Sequence, residues 1–212
     1  MIPATKPSGY YLDPRSGLAD LIDGERLRLL DIGCAGGEAG RFLLSTGKAA
    51  WVSGVEIEPE QAAIARSKLN EVICGDVGNL TLPWPQHHFD CIMCLDVLEH
   101  LIDPWDLLRR LKPLLKSDGY IVASIPNVKF FPVVYNLLIH NDWQYKDCGV
   151  LDSTHLRFFT KKTAVEMFTA SGYRVEQVAS YLSGVRYRIP SRLSFGLLDT
   201  FMAVQWQIRA RH

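Results

Sequence analysis

The sequence has no apolar run approaching the roughly 20 residues that a membrane-spanning helix needs. Its first residues, MIPATKPSGYY, lack the apolar core of a secretory signal peptide. Charge of either sign is not in excess, since 23 basic residues balance 23 acidic ones. This balance argues against a general binder of nucleic acids or of membrane surfaces. These absences predict a cytoplasmic protein without membrane insertion and without a nucleic-acid partner.

Cysteine is scarce, and the odd count of five excludes a framework in which every cysteine is paired. Four of the cysteines lie in apolar, strand-like segments, namely Cys34, Cys74, Cys91 and Cys94. We therefore expect reduced thiols in the core. Cys91 and Cys94 have the spacing of metal ligands, but residues three apart on a strand point to opposite faces. That pair is not predicted to hold a metal.

No linker rich in proline, glycine or serine divides the 212 residues. A chain of this length suits one α/β domain with a sizeable core. We predict a single domain over residues 1–212, built on a cofactor-binding core at 27–127. Residues 128–200 are expected to form acceptor-side excursions with a helix and a sixth strand, and 203–210 the last strand.

Strand and helix signals alternate along the first 127 residues. Apolar runs predict strands over residues 27–32, 51–57, 72–74, 89–95 and 120–125. Capping and amphipathic signals predict helices over residues 38–45, 59–69 and 103–115, with a stop at 117–119. This alternation indicates a doubly wound parallel α/β sheet. In 203–210, apolar and polar residues alternate with the period of a half-exposed antiparallel strand.

A glycine-dense turn, residues 33–37, follows the first predicted strand. Such a turn lets the backbone approach a ligand, although a tight connection without a ligand remains an open alternative. The G-x-G-x-x-G dinucleotide fingerprint fails, because Ala35 and Glu38 stand at two glycine positions. Glu38 would also repel a pyrophosphate. Glu56, at the end of the second strand, can accept the hydroxyls of an adenosine ribose. Together these residues favour S-adenosylmethionine over a nicotinamide dinucleotide.

Five segments then complete a pattern: LLDIGCAGG, GVEIEP, CGDV, FDCIMCLDVLEHL and LKPLLKSDGYIVASIPN. In order and spacing, they resemble the motifs of class I S-adenosylmethionine-dependent methyltransferases of the small-molecule type. The resemblance covers residues 27–127. It implies S-adenosylmethionine as cofactor and a Rossmann-like, mostly parallel seven-stranded sheet with an antiparallel last strand. Ala35 departs from the glycine usual in that family, and we expect binding to be retained.

The resemblance also assigns residues to each part of the cofactor. The methionine part is expected to contact Asp31, Gly33, Ala35 and Gly37. The ribose is expected at Glu56, the adenine beside Ile57, Asp76 and Val77, and the sulfonium near the backbone of Leu95. An N-terminal segment that closes over the cofactor in related enzymes corresponds here to Tyr10, Tyr11 and Arg15. For these three, a packed aromatic and a surface arginine are an equally good interpretation.

The downstream segments 124–127 and 152–160 are similar to MetW-like proteins and to methyltransferases of glycan assembly. We therefore expect methyl transfer to a small-molecule or glycan-type acceptor, at oxygen. For MetW-like proteins the resemblance does not by itself imply catalysis. A regulatory partner protein that binds S-adenosylmethionine without transferase activity is the alternative. The oligomeric state is not predicted.

His100 is the first candidate for a general base and His155 the second, since an acceptor that must lose a proton needs one. Either imidazole can instead serve as a cap or bond the backbone. Asp96, Glu99 and the two histidines are also similar to the magnesium site of RNA 3′-terminal 2′-O-methyltransferases, with Asp96 replacing the usual glutamate. Because two imidazoles are unusual ligands for magnesium, we predict no metal.

The charge is divided unevenly along the chain. Residues 155–212 carry nine basic and three acidic side chains, a net charge of +6, and the remainder carries −6. Arg186, Arg188 and Arg192 are therefore candidates to bind a phosphate or carboxylate of an anionic acceptor. A solvated surface is the alternative.

Overall fold

The computed structural model describes residues 21–212, and the side chains of all of these except Val185, Arg186 and Pro190. The strands are β1 Leu27–Ile32, β2 Ala49–Glu56, β3 Glu71–Cys74, β4 Phe89–Leu95, β5 Leu115–Pro126, β6 Arg174–Tyr181 and β7 Gln205–Arg211. The helices are α1 Glu38–Ser45, α2 Pro59–Ala65, α3 Pro104–Leu111, α4 Phe131–His140, α5 Lys161–Ala170, α6 Val185–Leu193 and α7 Asp199–Met202. Single 3₁₀ turns cover Leu98–His100 and Lys112–Leu114.

The seven strands form one sheet in the order β3-β2-β1-β4-β5-β7-β6. Strands β1 to β5 pair in parallel, and β7 runs antiparallel to both β5 and β6. The predicted fold class is thus confirmed. The direction of winding reverses between β1 and β4, and a sheet of this kind binds ligands outside the carboxyl ends of its strands at that point.

The core lies on both faces of the sheet. Cys91 and Cys94, three apart on β4, belong to different buried apolar clusters, Cys91 beside Leu29 and Cys94 beside Ile32. The two thiols therefore face opposite sides of the sheet, as their spacing predicted. All five cysteines are free thiols.

One prediction in the sheet is wrong. Residues 117–119 were expected to end the preceding helix ahead of a strand at 120–125, but they lie inside β5, which begins at Leu115. The pairing of β4 with β5 shifts between Phe89 and Cys91, and a side chain at Gly119 would meet backbone atoms of Lys116 and Phe89 at about 3 Å. The turn residues therefore build a bulge within the strand. The connection between β3 and β4 is a loop.

The last strand is also more buried than predicted. Gln207 and Arg209 were expected on a solvated face, yet both are buried because β7 is an inner strand. Arg209 keeps its charge compensated by ion pairs with Asp23 and Glu176, and its guanidinium lies 4.1 Å from the ring centre of Tyr120. A buried arginine is tolerated when it is paired in this way.

Within the described part of the chain, every helix is too short or too polar to span a bilayer.

Candidate functional site

The glycine turn joins β1 to α1 at the carboxyl edge of the sheet. Gly33 and Gly37 have φ of +70° and +79°, in the left-handed region that favours glycine. The Gly33 amide donates to the carbonyl oxygen of Val55 at 2.8 Å, which fixes the turn to β2. A Cβ atom on Gly33 would lie 2.5 Å from Cγ2 of Val97, so this glycine also allows the segment after β4 to approach.

Glu56 holds the turn from the side of β2. One carboxylate oxygen accepts a 2.8 Å hydrogen bond from the amide of Ala35, and the other accepts a 2.9 Å bond from the amide of Glu58. Ala35 has φ of +48°, a conformation that favours glycine and accounts for the glycine usual at this position. A carboxylate has about four acceptor positions, so Glu56 retains capacity for ribose hydroxyls.

Glu38, at the start of α1, is part of a charged cluster. Its carboxylate pairs with Lys68 at 2.7 Å and with Arg41 at 2.8 Å, and these bonds lower the pKa of Glu38. The ammonium of Lys68 also donates to the carbonyl oxygen of Gly36 at 2.8 Å. Lys68 thereby ties the end of α2 to the glycine turn, a role that the sequence did not indicate.

Asp31 and Cys34 lie buried beneath the turn. Burial raises the pKa of the Cys34 thiol well above its ordinary value, and the charges of Asp31 and Glu56 raise it further. Cys34 is therefore a neutral thiol that fills space beside Gly54, where a Cβ atom would lie 2.6 Å from its sulfur. It is not an activated nucleophile.

The predicted adenine residues lie beside the turn, at the ends of β2 and β3. Ile57 exposes more than half of its side chain and offers an apolar surface to a ring. The two carboxylate oxygens of Asp76 accept hydrogen bonds from the Gly78 amide and from the side chain of Asn79. Val77 places its side chain in the core. The loop that begins at Asp76 is thus ordered by its own hydrogen bonds.

Arg110 of α3 fixes the same loop from outside. Its guanidinium donates to the carbonyl oxygens of Val77, Gly78 and Leu80 at 2.9, 2.9 and 2.7 Å. A planar group with several donors is suited to binding three carbonyls at once. Sequence reasoning missed Arg110, because its partners are 30 to 33 positions away.

At the end of β4, Leu95 is buried and Asp96 has φ of +55°. The Asp96 carboxylate accepts hydrogen bonds of 2.8 Å from Ser124 of β5 and from Gln205 of β7. Asp96 therefore joins three strands at the edge where the cofactor is expected.

His100 and His155 come together beyond Asp96. Their ring centres are 4.7 Å apart with planes inclined by 70°. Nδ1 of His155 lies 3.0 Å from the carbonyl oxygen of Val150, and Nδ1 of His100 lies 3.1 Å from that of Thr154. A carbonyl oxygen only accepts, so Nδ1 is the donor in each of these two contacts. Burial, and then the charge of His100, lowers the pKa of His155.

Glu99 lies against this pair and is 1% exposed. Its Oε1 is 3.9 Å from Nε2 of His155, and its carbonyl oxygen accepts hydrogen bonds from the amides of Leu156 and Arg157. Within residues 21–212, Glu99, His100 and His155 form a group whose ligand atoms all lie within 4.8 Å of one another. Asp96, the fourth member of the magnesium alternative, does not belong to this group.

Asn127, which follows β5, is fully buried. It donates to the carbonyls of Thr200 and Ala203 and accepts from the amide of Lys129, so it ties β5 to the segment before β7. This arrangement indicates a structural role. The predictions for Tyr10, Tyr11 and Arg15 lie outside the described residues.

A doubly wound sheet in this strand order, with a glycine turn after β1, an acidic residue ending β2 and a buried antiparallel β7, defines a class I S-adenosylmethionine-dependent methyltransferase. The chain belongs to the methyltransferase-domain family, which matches residues 8–178. It accordingly carries a methyltransferase domain of the S-adenosylmethionine-dependent class.

Curated relatives are small-molecule enzymes. The chain is similar to a ubiquinone biosynthesis O-methyltransferase of Neisseria meningitidis, 34% identical over 123 residues, which are 55% of this chain and 50% of that enzyme. It is also similar to the 27-O-demethylrifamycin SV methyltransferase of Amycolatopsis mediterranei, 29% identical over 118 residues, covering 53% of this chain and 42% of that enzyme. The chain spans half or less of the length of these relatives.

Solved structures share the fold over nearly the whole chain. A methyltransferase of Mesorhizobium loti superimposes with a TM-score of 0.66 at 18% identity, covering 93% of this chain and 96% of that one. A methyltransferase of Archaeoglobus fulgidus has a TM-score of 0.66 at 22% identity, covering 94% and 95%.

Proposed function

We propose that the protein transfers a methyl group from S-adenosylmethionine to a hydroxyl of a small-molecule or glycan-type acceptor, with the His100–His155 pair as the source of the base. The observation that carries this proposal is the pair itself. Two imidazoles whose Nδ1 atoms face backbone carbonyls lie beyond the end of β4, next to the expected position of the sulfonium. The relatives named above as O-methyltransferases support oxygen as the methylated atom.

The cofactor is expected along the switch point of the sheet. Its methionine part would contact the turn from Asp31 to Gly37, its ribose Glu56, and its adenine the exposed face of Ile57 and the loop after Asp76. Methyl transfer is an in-line displacement, so holding the acceptor oxygen opposite the sulfonium supplies much of the acceleration. Removing the hydroxyl proton at Nε2 of His155 then makes the oxygen a better nucleophile. Its lowered pKa keeps this imidazole neutral near neutral pH.

The proposal includes a single domain acting in the cytoplasm, the compartment in which its free cysteines stay reduced. A regulatory protein that binds the cofactor without transferring a methyl group is the competing function. The polar pair beside the expected sulfonium favours transfer, since cofactor binding alone has no use for a base.

A transfer assay with labelled S-adenosylmethionine and separate pools of phenolic, glycan and lipid-linked acceptors tests the proposal. We expect label in one pool, and a loss of about 10²-fold or more in kcat for His155→Gln with little change in cofactor affinity. His140→Gln, a change at an exposed histidine on α4, is the matched control. Tight cofactor binding with no labelled product from any pool would favour the regulatory function.

A second candidate role for the same residues is a metal site. One buried carboxylate and two imidazoles within 4.8 Å suit zinc or another first-row transition metal better than magnesium. Metal content of the purified protein, before and after Glu99→Gln, tests this role. Stoichiometric metal that the substitution removes would assign the histidines to ligation, whereas metal-free active enzyme would leave them to proton transfer.

A further inference from the structure

The segment between β6 and α7 carries an unusual surface, which we call the 188–198 surface. Its exposed apolar side chains are Ile189, Leu193, Phe195, Leu197 and Leu198. Phe195 exposes 96% of its area, Leu197 82% and Leu193 78%. Isolated apolar residues are common on surfaces, but several large ones within ten positions indicate a site of interaction.

These apolar side chains are exposed although the backbone of the segment is well ordered by its own contacts. Tyr187 and Ser191 are buried and four apart, so they form the inner face of α6. The ring of Tyr187 packs on Phe130 at 5.0 Å. Past the helix, the Gly196 amide donates to the Ser191 carbonyl at 2.8 Å and the Leu198 amide to Oγ of Ser194 at 3.1 Å. The backbone is held while the apolar side chains point outward.

The basic residues around this surface indicate what kind of partner it binds. Arg188 and Arg192 are exposed on the same outer face of α6, and Arg186 adds a third basic residue in the sequence. No acidic residue occurs between Glu176 and Asp199. Basic residues beside exposed aromatic and aliphatic side chains are typical of segments that lie in the interface of an anionic membrane. The net charge of zero does not oppose this interpretation, because the basic residues are concentrated locally.

The location of this surface relates it to the site. Strand β6 runs parallel to β5, and Tyr181 and Pro126, which end these strands, both lie opposite Gln205 of β7. The chain after Tyr181 therefore leaves the sheet at the same carboxyl edge as the expected cofactor. A bilayer in contact with the 188–198 surface would lie on the side of the sheet where the cofactor is expected.

We propose that the 188–198 surface docks the protein reversibly onto an anionic lipid bilayer, with Phe195 and its aliphatic neighbours in the headgroup region and the arginines on lipid phosphates. None of the described helices crosses the membrane in this arrangement. The proposal does not depend on the identity of the acceptor or on the histidine pair, because its readout is vesicle binding.

Co-sedimentation of the full chain with phosphatidylcholine vesicles, with and without phosphatidylglycerol, tests the proposal. We expect binding to the anionic vesicles, weakened by salt and much weaker on phosphatidylcholine alone. Phe195→Ser with Leu197→Ser should lower vesicle affinity by about tenfold or more. Arg188→Gln or Arg192→Gln should lower it by about fivefold each. Leu138→Ser, at an equally exposed leucine on α4, is the matched control and should bind like the parent protein.

Cofactor affinity measured on each variant confirms that it is folded. The proposal is overturned if the parent chain does not bind anionic vesicles, or if the Phe195 and Leu197 variant binds them equally well. It is also overturned if that variant only dissociates a dimer, which would make the surface a contact between copies. Arginine variants that lose acceptor affinity but keep vesicle affinity would assign the arginines to a soluble anionic acceptor instead.

Discussion

The amide of Ala35 donates a 2.8 Å hydrogen bond to the carboxylate of Glu56, so the turn after β1 and the last residue of β2 form one unit. The second oxygen of Glu56 accepts from the amide of Glu58, and both oxygens thus organise backbone around the expected ribose. Glu56 has a structural role before any cofactor binds.

Glu56→Gln should weaken both stability and cofactor binding. An amide side chain places an NH₂ group against one of the two backbone amides, and each lost charge-assisted bond is worth about 1.5–3 kcal/mol. We expect a comparable fall in the free energy of unfolding and at least a tenfold weaker Kd for S-adenosylmethionine in isothermal titration. Glu58→Gln, an exposed neighbour, is the control. Equal effects of the two substitutions would contradict the role of Glu56.

Gly33→Ala should lower the free energy of unfolding by more than the cost of a left-handed backbone alone. Its Cβ would lie 2.5 Å from Val97 Cγ2, whereas a Cβ on Gly47 at a similar φ of +75° meets nothing within 4 Å. Left-handed backbone costs a non-glycine residue about 1–2 kcal/mol, which is the loss expected for Gly47→Ala. Denaturant unfolding should show a larger loss of unfolding free energy for Gly33→Ala than for Gly47→Ala. Adding Val97→Ala to Gly33→Ala should restore the difference. If the double variant recovers nothing, the contact is not the cause.

Arg110→Ala should reduce the selectivity of the protein for adenine. Arg110 touches the loop and not the expected ring, so it positions the loop that follows Asp76. We expect the preference for S-adenosylhomocysteine over S-inosylhomocysteine, which lacks the exocyclic amine, to narrow several-fold. Arg109→Ala, at a neighbour that forms ion pairs with Asp103 and Asp106, should leave that preference unchanged. A uniform loss of affinity for both ligands would indicate general destabilisation.

His88 should make the fold sensitive to acid. Partial burial, and then the charge of Arg28, whose Nη1 lies 3.0 Å from the ring, lowers the pKa of His88. The unfolded chain takes up this proton near pH 6.5, before the folded protein does. The contribution of His88 to stability is therefore complete above that pH and is lost as the pH falls through the lower folded pKa. The Tm of the parent protein should fall relative to His88→Gln over this range, and His87→Gln should not reproduce the difference.

The elements around the glycine turn were predictable because their signals are local. β1, α1 and β4 begin and end where the sequence placed them, since the apolar runs stop at glycine or polar residues. The burial of β7 was not predictable in this way. The sequence alone predicts a surface position for Arg209. Its partners Asp23 and Glu176 lie 186 and 33 positions away and meet it only in the folded protein.

The residues of the candidate site also differ in whether the sequence could predict them. Residues that the motifs contain, such as Glu56 and His100, were found from sequence. Arg110 and Lys68 were not, because they also bind backbone carbonyls of distant segments, and a carbonyl is the same in every residue type. The approach of His155 to His100 was suggested by resemblance alone, since 54 residues separate them.

The position of β7 also constrains the order in which the chain can fold during synthesis. Strands β1 to β5 are complete once Pro126 has been made, and they can pair as the ribosome releases them. β6 follows but has no neighbour in the sheet except β7, so its edge waits until Gln205–Arg211 emerges. For that interval one edge of β5 and both edges of β6 are unpaired, and open edges of this kind can pair with other chains.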